Sequence, residues 1–376
     1  MNPRALLGYW QLIAFAALAA LPFVQDKQAS LYVQQLIPLF IFALLALGLN
    51  VVVGYTGLLH LGIAAFFGIG AYTAGILSVQ AFPFQQTFPV VIVAAVVASI
   101  LIAVATAAPT LRLRGDYLAL VTMGFGLIIT FVIRNLENIT DGTRGLNPVA
   151  PHLLPGMDDP DLRSAKIAPG WGRYWYDYPY FYFLCLALLG LTSVFLRNLE
   201  RSRLGRAWVA LREDELAAAC MGLNPARLKL TAIALGAGIA GLAGALYAIA
   251  QQTTGGPDSY DFNRSIIILC CVILGGLGNR PGVILGVFIL IGYDMVLTPI
   301  LDLETQRDSF QNKFPDWMRG KQYLKVSGWR LFIFGAALIL MMRFRPEGLL
   351  PAARMKHELH PEEGEANTDE KNQPTG

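Results

Sequence analysis

About ten apolar runs, each close to the length needed to cross a lipid bilayer, limit the folds open to this chain. A helix of about 20 apolar residues spans the hydrocarbon core, which is about 30 Å thick. The runs lie near residues 5–24, 33–53, 57–77, 88–108, 117–135, 180–197, 229–250, 265–278, 283–303 and 329–343. Because lipid cannot satisfy backbone polar groups, the runs predict an all-α, polytopic transmembrane helical bundle of about ten helices.

The composition agrees with a membrane protein. The chain is 55% hydrophobic and 15% charged, whereas soluble domains carry about 25% charged residues. Its net charge of +3 is too small to indicate a nucleic-acid partner. The four cysteines (Cys185, Cys220, Cys270 and Cys271) form no C-x-x-C pair. We therefore expect them to be small hydrophobic residues rather than a metal or redox site.

Two of the runs leave alternatives open. The run 5–24 follows Arg4 and imitates a signal peptide, with Ala17-Leu18-Ala19 as a cleavage triplet. Its length favours a retained first helix instead. The run 265–278 is short and is followed by glycines, which predicts a helix with an irregular end.

Basic residues in the short connections predict the orientation, since positive charge stays on the cytoplasmic side during insertion. They cluster between residues 197 and 229, at 112–114 and at 343–345. Ten spans place these three clusters in the cytoplasm together with both termini.

The same orientation defines the domain organisation. Residues 1–350 form one transmembrane domain, with external loops at about 136–179 and 304–328. Aromatic residues before residue 180 resemble an interfacial belt. The acidic tail 351–376 is expected to be a disordered cytoplasmic extension.

The cytoplasmic segment at about 198–225 is predicted to form two short helices. Leu204, Trp208 and Leu211 recur at helical spacing. Asp214 is expected to cap the second helix and Gly222 to end it, with Asn224-Pro225 preventing its continuation. Such a helix pair suits docking against another protein; an amphipathic helix lying on anionic lipid is the alternative.

Several stretches, in order along the chain, resemble the permeases of branched-chain amino-acid ABC importers, and in particular their longer, M-type subunit. Within the segment at about 198–225 the similar stretch is ALREDELAAACMG, residues 210–222. This stretch resembles the part of these permeases that couples to the ATPases, so the segment is called the coupling segment below. The others are LNVVVGYTGLL (49–59), AAFFGIGAY (64–72), LRLRGDYLA (111–119), ITDGTRGL (139–146), ILGGLGNRPGV (273–283) and FRPEGL (344–349). The resemblance thus covers residues 33 to 350.

The resemblance implies a permease subunit of an ATP-driven importer in a bacterial-type inner membrane, and not an enzyme. Its implied partners are a second related permease subunit, two ATPase subunits, a periplasmic or extracellular substrate-binding protein and membrane lipid. ATP and Mg would bind the ATPases, leaving no cofactor on this chain. The residues expected to couple to the ATPases are Arg206, Trp208, Arg212, Glu213, Asp214, Glu215 and Gly222.

Polar and aromatic residues within or beside the spans are the candidates for a substrate path: Asn50, Tyr55, Thr56, His60, Phe66 and Asp294. Ionisable groups at membrane depth usually face a cavity or a partner. His60 departs from the family, which has its histidine about one helical turn later, in place of Ile63. A packing role near the inner interface is the alternative for His60.

No catalytic constellation or metal cluster is apparent. His357 and His360 are spaced i, i+3 in the acidic tail and do not match a zinc helix, while Gly275–Gly278 lacks the Lys-Ser/Thr of a nucleotide loop. Two other functions stay open: an ABC permease for urea or short amides, and a stand-alone secondary transporter or channel.

Overall fold

The computed structural model describes most of the chain between residues 35 and 298. The described ranges are 35–79, 81–83, 85–110, 116–147, 149, 151 and 180–298, with short stretches at 15, 18–22, 329, 332, 335–336, 339–340, 343–345 and 348–350. Most of the predicted spans 5–24 and 329–343 therefore lies outside the described residues. So do the greater part of both predicted external loops and the whole tail 351–376.

Helices make up the described regular structure, as the apolar runs predict. The α-helices are α1 (Leu36–Asn50), α2 (Ile63–Ser78), α3 (Phe88–Thr110), α4 (Asp116–Asn135), α5 (Glu137–Thr140), α6 (Tyr180–Glu200), α7 (Arg203–Glu213), α8 (Glu215–Cys220), α9 (Pro225–Gln251), α10 (Phe262–Gly275) and α11 (Arg280–Gly292). Two π-helical turns, Val51–Tyr55 and Tyr293–Leu297, and a 3₁₀ turn, Pro257–Tyr260, complete them. The all-α prediction is confirmed.

Five described helices are long and apolar enough to cross a membrane: Leu36–Tyr55, Phe88–Thr110, Tyr117–Asn135, Tyr180–Glu200 and Pro225–Gln251. Ile63–Ser78 is a shorter apolar helix. The chain is thus a multi-pass membrane protein, and the total of about ten spans stays a prediction.

The chain divides into two compact units, Met1–Leu269 and Cys270–Gly376. In the first unit, α9 lies at the centre and packs along α1, α2 and α3. Helix α1 is buried along almost its whole length. A helix that is apolar on all sides is expected to occupy such a central position.

Small residues allow these helices to approach one another closely. A Cβ atom on Gly236 would lie 2.8 Å from the carbonyl oxygen of Gly48 on α1. A Cβ atom on Gly244 would collide with the carbonyl of Phe67 on α2. Close approach replaces the hydrophobic effect as the source of helix association in lipid. The glycines of α9 therefore serve the close packing of this helix against α1 and α2.

In the second unit, α11 packs against the end of α10 through glycines. Gly275 and Gly282 each face the other's carbonyl oxygen so closely that a Cβ atom would not fit. The turn between the helices contains Gly276 and Gly278 with φ of 112° and 79°. The irregular end predicted for the run 265–278 is confirmed, because left-handed glycines end α10 here.

One predicted span begins later than its apolar run indicates. The run 57–77 is helical only from Ile63, and residues 57–62 are non-helical. Gly57 has a φ of +69°, which places it in the left-handed region and ends the preceding π-helical turn. His60 is buried, but it consequently lies in the loop between two helices and not on the helix itself.

Candidate functional site

The coupling segment folds into the two predicted helices, α7 and α8. Ser202 caps α7 by accepting a hydrogen bond from the Gly205 N–H at 3.3 Å. Asp214 caps α8, since its Oδ1 accepts from the N–H groups of Leu216 at 2.7 Å and Ala217 at 3.0 Å. Both caps satisfy amide donors that a helix N-terminus leaves unpaired. The predicted role of Asp214 as a cap is confirmed.

Gly222 ends α8, as predicted. Its φ is +85°, and the Leu223 N–H reaches back to the Ala218 carbonyl at 3.1 Å in a Schellman arrangement. Asn224-Pro225 does more than stop that helix. The Asn224 side chain accepts from the Arg227 N–H at 3.1 Å, and Pro225 occupies the first turn of α9. The pair therefore starts the central transmembrane helix.

Trp208 fixes α7 to the base of α9. Its side chain is completely buried, and its Nε1–H donates to the Leu228 carbonyl at 3.0 Å. Leu211 is also buried, whereas Leu204 is 42% exposed. The buried positions of α7 are Gly205, Trp208 and Leu211. The apolar spacing identified the last two but not Gly205. A side chain would not fit at position 205, because the backbone carbonyls of residues 199 and 200 are too close.

The outer face of α8 is apolar. Leu216 is 63% exposed and Met221 is 83% exposed, and Cys220 beside them is exposed too. Exposed apolar groups next to charged ones mark protein or membrane contact sites. We call Leu216, Cys220 and Met221 the outer apolar patch.

Two charged residues of the coupling segment bind the transmembrane core. Glu215 Oε1 lies 2.7 Å from Lys229 Nζ on α9. Arg212 Nη1 donates to the Gly54 carbonyl at 2.7 Å, in the π-helical turn that follows α1. Arg206, by contrast, is exposed and bonds the Arg201 carbonyl within the segment, and Glu213 is exposed.

The non-helical residues 57–62 are held by a threonine of α4 and by the side chain of their own histidine. The Leu61 N–H donates to Thr122 Oγ1 of α4 at 3.1 Å. His60 Nδ1 accepts from the Gly62 N–H at 3.3 Å, and the His60 ring lies 5.7 Å from the ring of Phe66. These bonds satisfy backbone that would otherwise be too costly at membrane depth.

A small cavity lies beside this segment. It encloses about 10 Å³, which is room for roughly one water molecule. Its lining combines polar and apolar side chains: His60, Gly62, Ala65, Phe66, Thr106, Ala107, Thr110, Thr122, Phe125, Gly126, Ile129 and Ile233. The cavity thus offers hydroxyl and imidazole groups on a mainly apolar wall.

Residues 140–147, which follow α5, lie near the C-terminal end of α9, whereas the coupling segment lies at its N-terminal end. The Leu146 N–H donates to Thr254 Oγ1 at 2.8 Å, and the Thr254 N–H donates to the Leu146 carbonyl at 3.1 Å. Tyr72 Oη donates to the Gly255 carbonyl at 2.9 Å. These bonds join α2, the segment 140–147 and the end of α9.

Comparison with known proteins identifies the family. The family described as "Branched-chain amino acid transport system / permease component" matches residues 31–342. The chain belongs to this permease family.

The permease is similar to several curated relatives. It is 37% identical to the high-affinity branched-chain amino acid transport system permease protein LivM of Escherichia coli K12 over 330 residues, which cover 85% of this chain and 70% of that protein. It is 25% identical to BraD of Pseudomonas aeruginosa, over 82% of this chain and 91% of the relative. It is also 27% identical to LivH of E. coli K12, over 66% of this chain and 79% of the relative. No solved structure matches the permease.

Of the predicted path residues, the structure brings His60 and Phe66 together at the cavity. Asn50, Tyr55 and Thr56 are buried at the end of α1 and in the π-helical turn, outside the described lining of the cavity. Asp294 belongs to the second unit, in the π-helical turn after α11, where it is half-buried. A path role for these residues stays a prediction.

Sequence reasoning missed three residues of the permease that the geometry singles out. Thr110 and Thr122 line the cavity, but a threonine in an apolar run carries no distinctive signal. Lys229 does carry one, because a lysine at the start of a transmembrane helix needs a charged partner or water. Its partner, Glu215, is 14 positions earlier in the sequence.

Proposed function

We propose that this permease is the membrane subunit of an ATP-driven importer of branched-chain amino acids in a bacterial-type inner membrane. Its relatives in E. coli and P. aeruginosa carry that substrate in their names. The structural observation that supports this mechanism is that the two faces of the coupling segment differ. Its inner face is tied to α9 through Trp208, while its outer apolar patch is left for a partner.

The proposed energy source is a pair of ATPase subunits that bind the outer apolar patch together with the exposed Arg206 and Glu213. ATP and Mg would be held by those subunits, so hydrolysis would occur outside this chain and no cofactor would be needed on it. A second, related permease subunit and a substrate-binding protein would complete the importer. The similarity of the chain to both LivM and LivH supports a two-permease assembly.

The cavity beside His60 is proposed as part of the substrate path in a closed state. Thr110, Thr122 and His60 offer groups that hydrogen-bond the polar end of an amino acid, and Phe66 and Phe125 face its apolar side chain. A space for about one water molecule is too small for leucine. Transport therefore needs these helices to move apart, as in alternating access.

Uptake measurements test the substrate and the energy source. Labelled leucine uptake is compared in cells with and without this chain, with urea as a parallel substrate. Loss of ATP-dependent leucine uptake without the chain supports the proposal. Loss of urea uptake alone would replace the substrate class, and undiminished uptake of both would overturn the assignment. Purification from the membrane adds a second test, because a self-sufficient homo-oligomer without ATPases would contradict an ABC importer.

Two matched threonines test the path. Thr110 Oγ1 bonds the Ala107 carbonyl of its own helix at 2.8 Å, and Thr73 Oγ1 bonds the Ile69 carbonyl at 2.7 Å. Of the two, Thr110 lines the cavity. Replacing it with valine removes one hydroxyl, so Thr110→Val should raise the KM for leucine about threefold to tenfold. Thr73→Val should leave the KM unchanged; equal effects of both variants would remove the cavity from the path.

A further inference from the structure

We infer that Arg212 is a positioning residue that transmits movement of the coupling segment to residues 57–62, and that it does not act as an ATPase contact. The inference rests on the proposed function, because it assumes that the coupling segment is moved by ATPase partners. Four structural relationships carry it. Two are the contacts of Arg212 with the π-helical turn and with Gly57; the third joins residues 57–62 to the cavity, and the fourth joins α7 to α9.

The first relationship is the bond to Gly54. Arg212 lies on α7 near its C-terminal end, and its Nη1 donates to the Gly54 carbonyl at 2.7 Å. A hydrogen bond from a charged donor is shorter and stronger than one between neutral groups. The guanidinium is therefore held against the transmembrane core, 158 positions away in the sequence.

The second relationship is the contact with Gly57. A Cβ atom at position 57 would lie 2.9 Å from Arg212 Cγ. The aliphatic stem of Arg212 thus packs against the backbone at the first residue of the non-helical stretch 57–62. Because Arg212 touches both Gly54 and Gly57, a shift of α7 displaces the start of that stretch.

The third relationship joins residues 57–62 to the cavity. His60 lies in the middle of this stretch and lines the cavity, and Leu61 is bonded to Thr122, which lines it too. The stretch is outside any helix, so its displacement does not require breaking an α-helical hydrogen-bond ladder. Movement of the coupling segment can therefore reach the cavity lining through the Arg212 side chain.

The fourth relationship is the stable seat of α7. Trp208, one turn before Arg212, is buried and bonded to α9. This bond fixes α7 to α9, and the Arg212 side chain extends from α7 towards the π-helical turn after α1. Removing the guanidinium should leave α7 fixed to α9. A loss of transmission in such a variant can therefore be distinguished from a loss of ATPase binding.

The test compares Arg212→Gln with Arg212→Lys and with the control Arg227→Gln in the full transporter. Arg227 is exposed on the first turn of α9, so its replacement removes the same charge nearby. ATPase retention, ATP hydrolysis and leucine uptake are measured on the same reconstituted sample. Arg212→Gln is expected to retain the ATPases and to move about tenfold fewer leucine molecules per ATP. Arg212→Lys should restore part of this ratio, and Arg227→Gln should match the wild type.

Hydrogen–deuterium exchange of the peptide 54–62 provides a readout that a purely structural role would not change. In the wild type, its exchange should differ between the nucleotide-free and the vanadate-trapped ATP states. In Arg212→Gln this difference should disappear, while peptides of α7 continue to respond to ATP.

Two results would overturn the inference. One is loss of the ATPases from Arg212→Gln together with Arg212→Lys, which would make Arg212 a docking residue. The other is a wild-type ratio of leucine to ATP with an unchanged exchange response. If the wild type hydrolyses ATP but transports no leucine, the proposed substrate is wrong. The exchange measurement on peptide 54–62 still decides the role of Arg212 in that case.

Discussion

Lys229 Nζ lies 2.7 Å from Glu215 Oε1, and this ion pair ties helix α8 to the first turns of α9. The two partners differ in their surroundings. The lysine side chain is 4% exposed and the glutamate side chain is 32% exposed. Because of this difference, removing one partner should not have the same effect as removing the other.

Glu215→Gln should destabilise the permease more than Lys229→Met. The first change leaves a buried ammonium without its counter-charge, whereas the second leaves a carboxylate that water can reach. Loss of one partner of a fully buried pair costs about 3–5 kcal/mol; the partial exposure of Glu215 lowers our expectation to roughly 1–3 kcal/mol. Lys229→Met should cost about 1 kcal/mol or less.

Thermal melting in detergent measures this difference, with Glu137→Gln, at an exposed glutamate on α5, as the control. Equal melting temperatures for Glu215→Gln and Glu137→Gln would contradict a stabilising ion pair.

Trp208 should contribute mainly to the stability of the coupling segment. Trp208→Ala removes a completely buried side chain, for which about 3–5 kcal/mol is typical. Trp208→Phe keeps an aromatic ring but removes one donor to the Leu228 carbonyl, which still accepts from the Thr231 hydroxyl. The loss of this single bond should cost about 0.5–1.5 kcal/mol. Melting temperature and protease resistance of the coupling segment check both values. Leu204→Ala, at an exposed position of the same helix, serves as the control and should be close to neutral.

The small residues on α9 should be intolerant of even one added methyl group where the helices touch. Gly244→Ala places a Cβ atom against the Phe67 carbonyl, so α2 and α9 must separate. We expect a fall in the yield of folded protein and in melting temperature. Gly124→Ala on α4 is the matched control, since no atom lies within 4 Å of its added Cβ. Similar behaviour of the two variants would show that α2 and α9 do not need their close contact.

The outer apolar patch should decide whether the ATPases stay bound. Met221→Asp and Leu216→Asp place a charge on exposed positions, so folding should be unaffected while ATPase retention falls about tenfold or more, equivalent to about 1.4 kcal/mol. Met221→Leu should retain the ATPases. Full ATPase retention in the aspartate variants, together with weaker association of the coupling segment with anionic vesicles, would favour the lipid-bound alternative.

Local signals in the sequence predicted the local parts of the structure well. The cap at Asp214 and the helix end at Gly222 follow from side-chain and backbone preferences that act over three or four residues. The all-α bundle follows from the apolar runs, because lipid leaves few other ways to satisfy the backbone.

The directions of side chains at the candidate site were not predictable in the same way. The family resemblance assigned Arg212 to the ATPase contacts and gave no indication that its guanidinium bonds the Gly54 carbonyl. That contact depends on the π-helical turn after α1 and on the position of α7, neither of which leaves a sequence signal. The apolar run 57–77 predicted a helix that includes His60. The run does not reveal that the backbone leaves the helical conformation at Gly57.

Cys220 gives the unmodified chain a chemical reporter. Its thiol is exposed beside Met221, whereas Cys185, Cys270 and Cys271 are buried. A maleimide fluorophore should therefore label the native sequence predominantly at one site, without mutagenesis. Protection of that site on adding purified ATPases would follow assembly in real time, in the wild-type protein.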